Sequence, residues 1–242
     1  RTAEPGLRVR GDDDVHAREP TGPPMPGRSV DAMEITKHEH ACLTIRKGDE
    51  TLVVDPGGMT AAFDAPGLVG IVVTHEHADH WTPEHLQRLL DASGGVPIVG
   101  PAGVAAAASA FDVDVVDAGD VRTLGSFALR FFGGTHAEIH SSIPLIDNVG
   151  VMVDDALYYP GDSYAVPDRP VELLATPCGA PWLKIGEAMD FVLEVAPRRT
   201  FATHDRPISD VGLQMANDRI RWAVEQGGGT HHVVEPGSVL TL

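Results

Sequence analysis

The chain has 242 residues, 43 % of them hydrophobic and 22 % charged, which is enough for one large domain or two small ones with a sizeable core. A formal net charge of −17 opposes phosphate backbones and anionic membrane surfaces, and so argues against general nucleic-acid binding. Two cysteines without C-x-x-C spacing, Cys42 and Cys178, exclude a disulfide scaffold or a cysteine-rich zinc module, and each reads as a small buried apolar residue. No apolar run reaches the roughly 18 residues of a membrane span and no charged-then-apolar start marks a secretion signal, so a cytoplasmic location is the default expectation.

Residues 1–32, with "GDDDVHAREPTGPPMPGRS", carry too little apolar surface to offset ordering entropy. They are expected to be a disordered leader or an extension ahead of the natural start, with Met33 opening a single domain over 33–242. "ACLTIRKGDETLVVDPG" reads as two strands around Lys47-Gly48-Asp49, and "GLVGIVVTH" as a buried strand. Thr82 is placed to cap a helix that starts at Pro83 and runs to about Leu90. "VPIVG" is a short strand, "PAGVAAAASAF" suits a helix, and 113–132 reads as further strands. "VGVMVDDALYYPGD" is a hairpin turning at Asp154-Asp155, "VELLATP" a strand, and "KIGEAMDFVLEVA" a helix that stops before Pro197. "RRTFATHD" is a strand, "SDVGLQMANDRIRWAVEQGGG" a helix closed by glycines, and "HHVVEPGSVLTL" a terminal hairpin. The pattern leaves two architectures: a parallel α/β sheet, or two packed sheets with helices outside.

The chemistry concentrates in "THEHADHW", Thr74 to Trp81, directly after the "VGIVV" strand. In extended backbone His75 and His77 face the same side and can grip one cation. A turn at Ala78 brings Asp79 and His80 to a second, and imidazole nitrogens and carboxylate oxygens are usual zinc ligands. A helical H-E-x-x-H site is a poor match, because its two histidines need i, i+4 spacing. Three later apolar runs end in further candidates: His136, with His140 four residues on, Asp162, and His204. Strand ends hold ligands rigidly.

H-x-H-x-D-H, then a His, a Gly-Asp and a His, with "LVVDPGG" upstream, resembles the metallo-β-lactamase fold superfamily over Met33 to Leu242. The resemblance implies an αββα sandwich, an α/β (α+β) fold of two mixed β-sheets with helices on the outer faces. It implies two zinc ions per chain, with manganese or iron able to take the same N/O set. His75, His77 and His136 would hold one ion, Asp79, His80 and His204 the other, and Asp162 would bridge them. Asp55 would support the metal loop from behind. "ITKHEHACLTI" before "LVVDPGG" resembles the ascorbate-6-phosphate lactonase-like branch, although Glu39-His40-Ala41 stands where that branch has Gly-His-Ala or Gly-His-Ser. The implied activity is hydrolysis of an ester, lactone or phosphodiester in a small molecule by a metal-bridging hydroxide, with Asp79 or Asp162 taking the proton. The alternatives are a one-iron oxidoreductase such as a persulfide dioxygenase, which needs fewer ligands, and a non-catalytic metal-binding scaffold, which would have lost some.

Other residues keep two readings. His40 faces the active site or is a satisfied core histidine. His136 is favoured as the ligand over His140, which then binds substrate, supports a ligand or caps a loop. Asp205 orients a ligand, contacts substrate or is solvated. In "ATPCGAPWLK", Trp182 and Lys184 line the pocket mouth, with Lys184 attracting an anionic group, or Trp182 packs on the core. His38 and His85 are expected to face solvent, and His231-His232 to be a surface pair. No dinucleotide fingerprint is present, and assembly into homo-oligomers is compatible with the pattern.

Overall fold

The apolar alternation of the strands builds two sheets that face each other. The computed structural model describes residues 32–242, so all but the last residue of the expected leader lies outside the described residues. The elements run β1 (Met33–Lys37), β2 (Leu43–Lys47), β3 (Glu50–Val54), β4 (Leu68–Val72), α1 (Pro83–Ser93), β5 (Ile98–Gly100), α2 (Ala102–Ala107) and β6 (Val113–Val115). Then follow β7 (Val121–Leu124), β8 (Phe127–Thr135), β9 (Asp147–Val153), β10 (Leu157–Tyr159), β11 (Leu173–Pro177), α3 (Ile185–Val195), β12 (Arg199–Thr203), α4 (Asp210–Gln226), β13 (Thr230–His232) and β14 (Val239–Thr241).

The first sheet has the order β14-β1-β2-β3-β4-β5-β6 and the second β13-β12-β11-β10-β9-β8-β7. Each is mixed in the same way. Antiparallel pairs link β14, β1, β2 and β3, and parallel pairs link β3, β4, β5 and β6. In the second sheet β7 to β10 are antiparallel and β10 to β13 parallel.

Strand side chains alternate between two environments, as the pleat requires. Leu52, Val54 and Val72 point inward and meet Leu129, Phe131, Val151, Val153, Leu173 and Phe201 from the opposite sheet. Val53, Ile71 and Val73 point outward under Leu86 and Leu89 of α1. Met152, Leu174 and Ala202 point outward under Phe191 and Val192 of α3 and Ile220 of α4. This is the αββα sandwich, and the single parallel sheet is set aside. Fully burying one such side chain contributes about 1.5–3 kcal/mol.

Local signals explain the boundaries. The Thr82 hydroxyl accepts from the His85 N–H at 3.2 Å and Pro83 occupies the first turn of α1. That helix extends past Leu90 to Ser93, because the first left-handed residue is Gly94 at φ 77°. The Asp154-Asp155 turn holds both residues at φ 51°, the left-handed pair that a tight hairpin needs. Helix α2 covers only six residues of the Ala-rich stretch, with Val104 its one buried residue. The expected terminal hairpin does not form. Thr230–His232 pairs with β12 in the second sheet, and Val239–Thr241 pairs with β1 in the first. Glu235-Pro236-Gly237 interrupts the run, and each short strand finds an open edge on a different sheet.

Candidate metal centre

Strand β4 delivers Thr74 and His75 to the seam between the sheets, where the Val149 N–H of β9 donates to the Thr74 carbonyl at 3.0 Å. The chain then turns, with the His80 N–H donating to the His77 carbonyl at 3.0 Å. Gly57 lies flat against this turn, because a Cβ there would collide with the Asp79 carbonyl. His136 follows β8, Asp162 follows β10, and His204 follows β12.

Two groups of side chains converge. His75, His77, His136 and Asp162 offer ligand atoms that all lie within 4.8 Å of one another, and so do His40, Asp79, His80 and His204. Asp162 touches both groups. Its Oδ1 is 3.2 Å from His80 Nε2, and its Oδ2 is 3.0 Å from His204 Nε2, 3.4 Å from His136 Nε2 and 4.0 Å from His75 Nε2. All of these residues are buried except His77 and Asp79, which are half-buried.

The outer nitrogens show which way the histidines are set. The Gly179 carbonyl accepts from His204 Nδ1 at 2.6 Å, and the Ala137 carbonyl from His136 Nδ1 at 2.6 Å. A carbonyl only accepts, so Nδ1 carries the hydrogen in both rings. Asp55 accepts from His80 Nδ1 at 2.7 Å, from the Thr74 N–H and hydroxyl, and from the Tyr159 hydroxyl at 2.9 Å. With its hydrogen given to Asp55, the Thr74 oxygen accepts from His75 Nδ1 at 3.0 Å. Four rings therefore turn Nε2 toward the seam, the arrangement that orients metal-binding imidazoles. Nε2 of His80, His136 and His204 and Oδ1 of Asp162 are buried without a hydrogen-bond partner. Buried polar atoms left this way cost free energy unless a ligand satisfies them. A pair of divalent cations fits this donor set.

Electrostatics point the same way. Burial opposes charge on His80 and His204, but neighbouring carboxylates win. Asp162 and Asp55 push His80 well above its usual range, and Asp162 and Asp79 push His204 up to about 9. Burial and the adjacent His80 hold His75 well below its usual value. Burial alone would raise Asp79 and Asp162, yet His204 and His40 around Asp79, and His80, His136 and His204 around Asp162, hold both carboxyls far below theirs. Cations at these points would replace the imidazolium protons. Three non-glycine residues here adopt the left-handed region, His40 at φ 60°, Asp55 at 48° and His204 at 57°. Each costs about 1–2 kcal/mol, and such strain gathers at functional sites.

The remaining candidates separate. His40 is buried and faces the site, with Nε2 at 3.0 Å from Asp79 Oδ2. Asp205 is also buried rather than solvated, and accepts from Lys37 Nζ at 2.6 Å and the His40 N–H at 3.1 Å. Trp182 is buried, and its Nε1–H donates to Asp162 Oδ2 at 2.9 Å. His140 stays outside both groups, exposed, with Nδ1 at 2.7 Å from the Ser142 hydroxyl. It lines a cavity of about 670 Å³ with Glu138, Tyr164, Trp182 and Lys184. Lys184 is 78 % exposed and 3.9 Å from Glu187. His38 and His85 do not face solvent freely: they flank Phe63, with ring centroids 4.2 and 6.1 Å from it. His231 is half-buried, and not free at the surface. Its Nε2 meets Asn217 Oδ1 at 2.8 Å, and burial pushes its pKa down to about 4. Pattern reading missed Lys37, Thr74, Tyr159 and Asn148, whose amide oxygen accepts from the Asp162 N–H at 3.0 Å.

The β-lactamase superfamily domain matches residues 34–204. Protein Rv0786c of Mycobacterium tuberculosis is 36 % identical over 178 residues, which cover 71 % of this chain and 84 % of that protein. Igni18, a metallo hydrolase from the archaeon Ignicoccus hospitalis, superposes with a TM-score of 0.67 at 15 % identity, covering 87 % of this chain and 98 % of that one. CmlA, a diiron β-hydroxylase from Streptomyces venezuelae, gives a TM-score of 0.62 at 16 % identity, covering 90 % of this chain and 55 % of that one.

Proposed function

The chain belongs to the β-lactamase superfamily, and from that premise we propose that it is a metal-dependent hydrolase holding two divalent cations, with zinc preferred. His75, His77 and His136 hold the first, Asp79, His80 and His204 hold the second, and Asp162 serves both. The observation that carries this reading is the position of Asp162, whose carboxylate lies 3.0–4.0 Å from histidines of both groups. Bound there, the cation pair supplies a water activated near neutral pH and a Lewis acid for the substrate oxygen.

The chain's own residues divide the remaining work. Trp182 fixes one oxygen of Asp162 by its indole N–H and closes that side against water. Asp79 has a quarter of its side chain exposed, against 3 % for Asp162, so it is the carboxylate that an incoming substrate meets. It would accept or relay the proton of the attacking water. The cavity beside Trp182, with His140 and Lys184 at its rim, receives a small substrate. The bond class is an ester, a lactone or a phosphodiester, as the likeness to the lactonase-like branch suggests.

The test is a panel of lactones, carboxylic esters, thioesters and phosphodiesters, run with zinc-loaded, manganese-loaded and metal-stripped protein. Turnover of one class that disappears on stripping is expected. Two bound cations with silence across the panel would overturn hydrolysis and move weight to an oxygen-consuming reaction. Failure to bind any cation would overturn the metal reading itself.

A further inference from the structure

Lys37 is the largest charged side chain buried in the described residues, 1 % exposed at the end of β1, and the proposed chemistry makes no use of it. Its ammonium lies 2.6 Å from Asp205 Oδ2 and 3.1 Å from the His38 carbonyl. Asp205 is itself only 8 % exposed. A buried ion pair pays heavy desolvation and is weak evidence of a stabilising role, so it invites another explanation.

The contacts beyond the pair supply one. The second Asp205 oxygen accepts the His40 N–H at 3.1 Å. The His40 carbonyl accepts the His204 N–H at 2.9 Å, and His40 Nε2 lies 3.0 Å from Asp79 Oδ2. One residue thus ties the adjacent pair His204-Asp205 to Asp79, two segments far apart in the chain. Both His40 and His204 sit at positive φ, at 60° and 57°, and their left-handed backbones are joined by that hydrogen bond. Neither conformation is a favoured one for histidine, so surrounding contacts must impose it.

The outer nitrogen of His40 decides what its ring does. His75, His80, His136 and His204 each have Nδ1 beside an oxygen that takes its hydrogen. His40 Nδ1 is buried with no partner. Placing the hydrogen there would bury an unsatisfied donor, so the neutral ring carries it on Nε2 and donates to Asp79.

We propose that Lys37, Asp205 and His40 form a buried positioning unit for the second cation alone, with His40 holding Asp79 by donating from its ring and His204 by accepting its N–H at the His40 carbonyl, and not as a ligand. The inference rests on the two-cation reading above. The first group is untouched by these residues and serves as an internal control.

The test is a calorimetric titration of metal-stripped full-length protein with zinc, read as two binding steps. His40→Asn keeps a residue that tolerates positive φ but cannot reach Asp79. A double variant, Lys37→Met with Asp205→Asn, removes both buried charges together and keeps an oxygen for the His40 N–H. Far-UV circular dichroism confirms that each variant is folded. The expected result is a 10–100-fold loss of affinity in one step with the other unchanged, the usual effect of losing an outer partner of a metal ligand. In the His40→Asn background the double variant should cost less than it does alone, because the Asp79 contact is already gone. Equal weakening of both steps, or no change in either, would overturn the proposal. Complete loss of one step in His40→Asn, with a cobalt-loaded spectrum showing one nitrogen donor fewer, would make His40 a ligand and overturn it as well. Fewer than two steps in the parent protein would instead overturn the two-cation reading.

Discussion

The two sheets contribute to the centre in different ways. The first sheet supplies His75, His77, Asp79 and His80 from one six-residue turn after β4, backed by Asp55 after β3. The second supplies one residue per strand end, His136, Asp162 and His204, spread over 69 positions counted from 136 to 204 inclusive. Local backbone geometry sets the first half, and sheet register sets the second. The halves differ in what can disturb them. A change in the turn acts on several of the proposed ligands together, whereas a change at one strand end of the second sheet acts on one. Asp162 is the exception, because both groups share it.

The largest effect is therefore expected at Asp162. Asp162→Asn should lower turnover by more than the roughly 10–100-fold that outer partners cost, and metal analysis should find fewer than two cations per chain. Retained stoichiometry and rate would remove it from the centre. Next comes the contrast between His77→Ala and His204→Ala. Each should abolish turnover, but leave the opposite group able to bind one cation, and a titration that loses both steps in either variant would break the division into two groups. Asp55→Asn is expected to weaken the second cation about 10–100-fold, because it alone pins His80 Nδ1. Smallest is His140→Ala, which should leave cation content intact and move KM rather than kcat.

Acidity sharpens the same contrast. Without cations, the Asp162 and Asp79 carboxylates push His204 up to about 9 from the usual 6.5, against the effect of burial. A raised value means its stabilisation is complete below 6.5 and is lost as pH climbs through 9. His80, also raised, acts in the same direction. Metal-stripped protein should therefore melt at lower temperature as pH rises across that window. Cation binding shows the opposite trend, since protons must leave His204 and His80 first. Affinity for the second cation should climb with pH to about 9, with proton release detectable by titration in buffers of different ionisation heat. Parallel trends for the stripped and loaded protein would contradict the assignment.

The same division governs what was legible in the sequence. The proposed ligands in one turn announce themselves by density, and His136, Asp162 and His204, which the structure brings to the same seam, by their place after apolar runs. Both cysteines are buried and free, as their spacing suggests. Lys37 was invisible, because a lysine in an alternating strand reads as solvated, and the partner that buries it is 168 positions away. Thr74 and Tyr159 look like ordinary strand residues until both are found on Asp55. The two readings of His40 could not be separated without its neighbours from the other sheet. The terminal hairpin failed for a related reason. A pattern of two short strands around Pro-Gly states that each is extended, but not which edge each will join.

That split terminus bears on how the chain matures. Strand β1 emerges early during synthesis, yet its outer partner, Val239–Thr241, lies some 200 positions downstream. Until those residues arrive, the strand that carries Lys37 has one unpaired edge. The Gly237 N–H to Lys37 carbonyl contact, at 2.7 Å, is missing as well. The unit proposed around the second cation is thus completed late, and chains caught before that stage would carry an open strand edge that invites pairing with a neighbour.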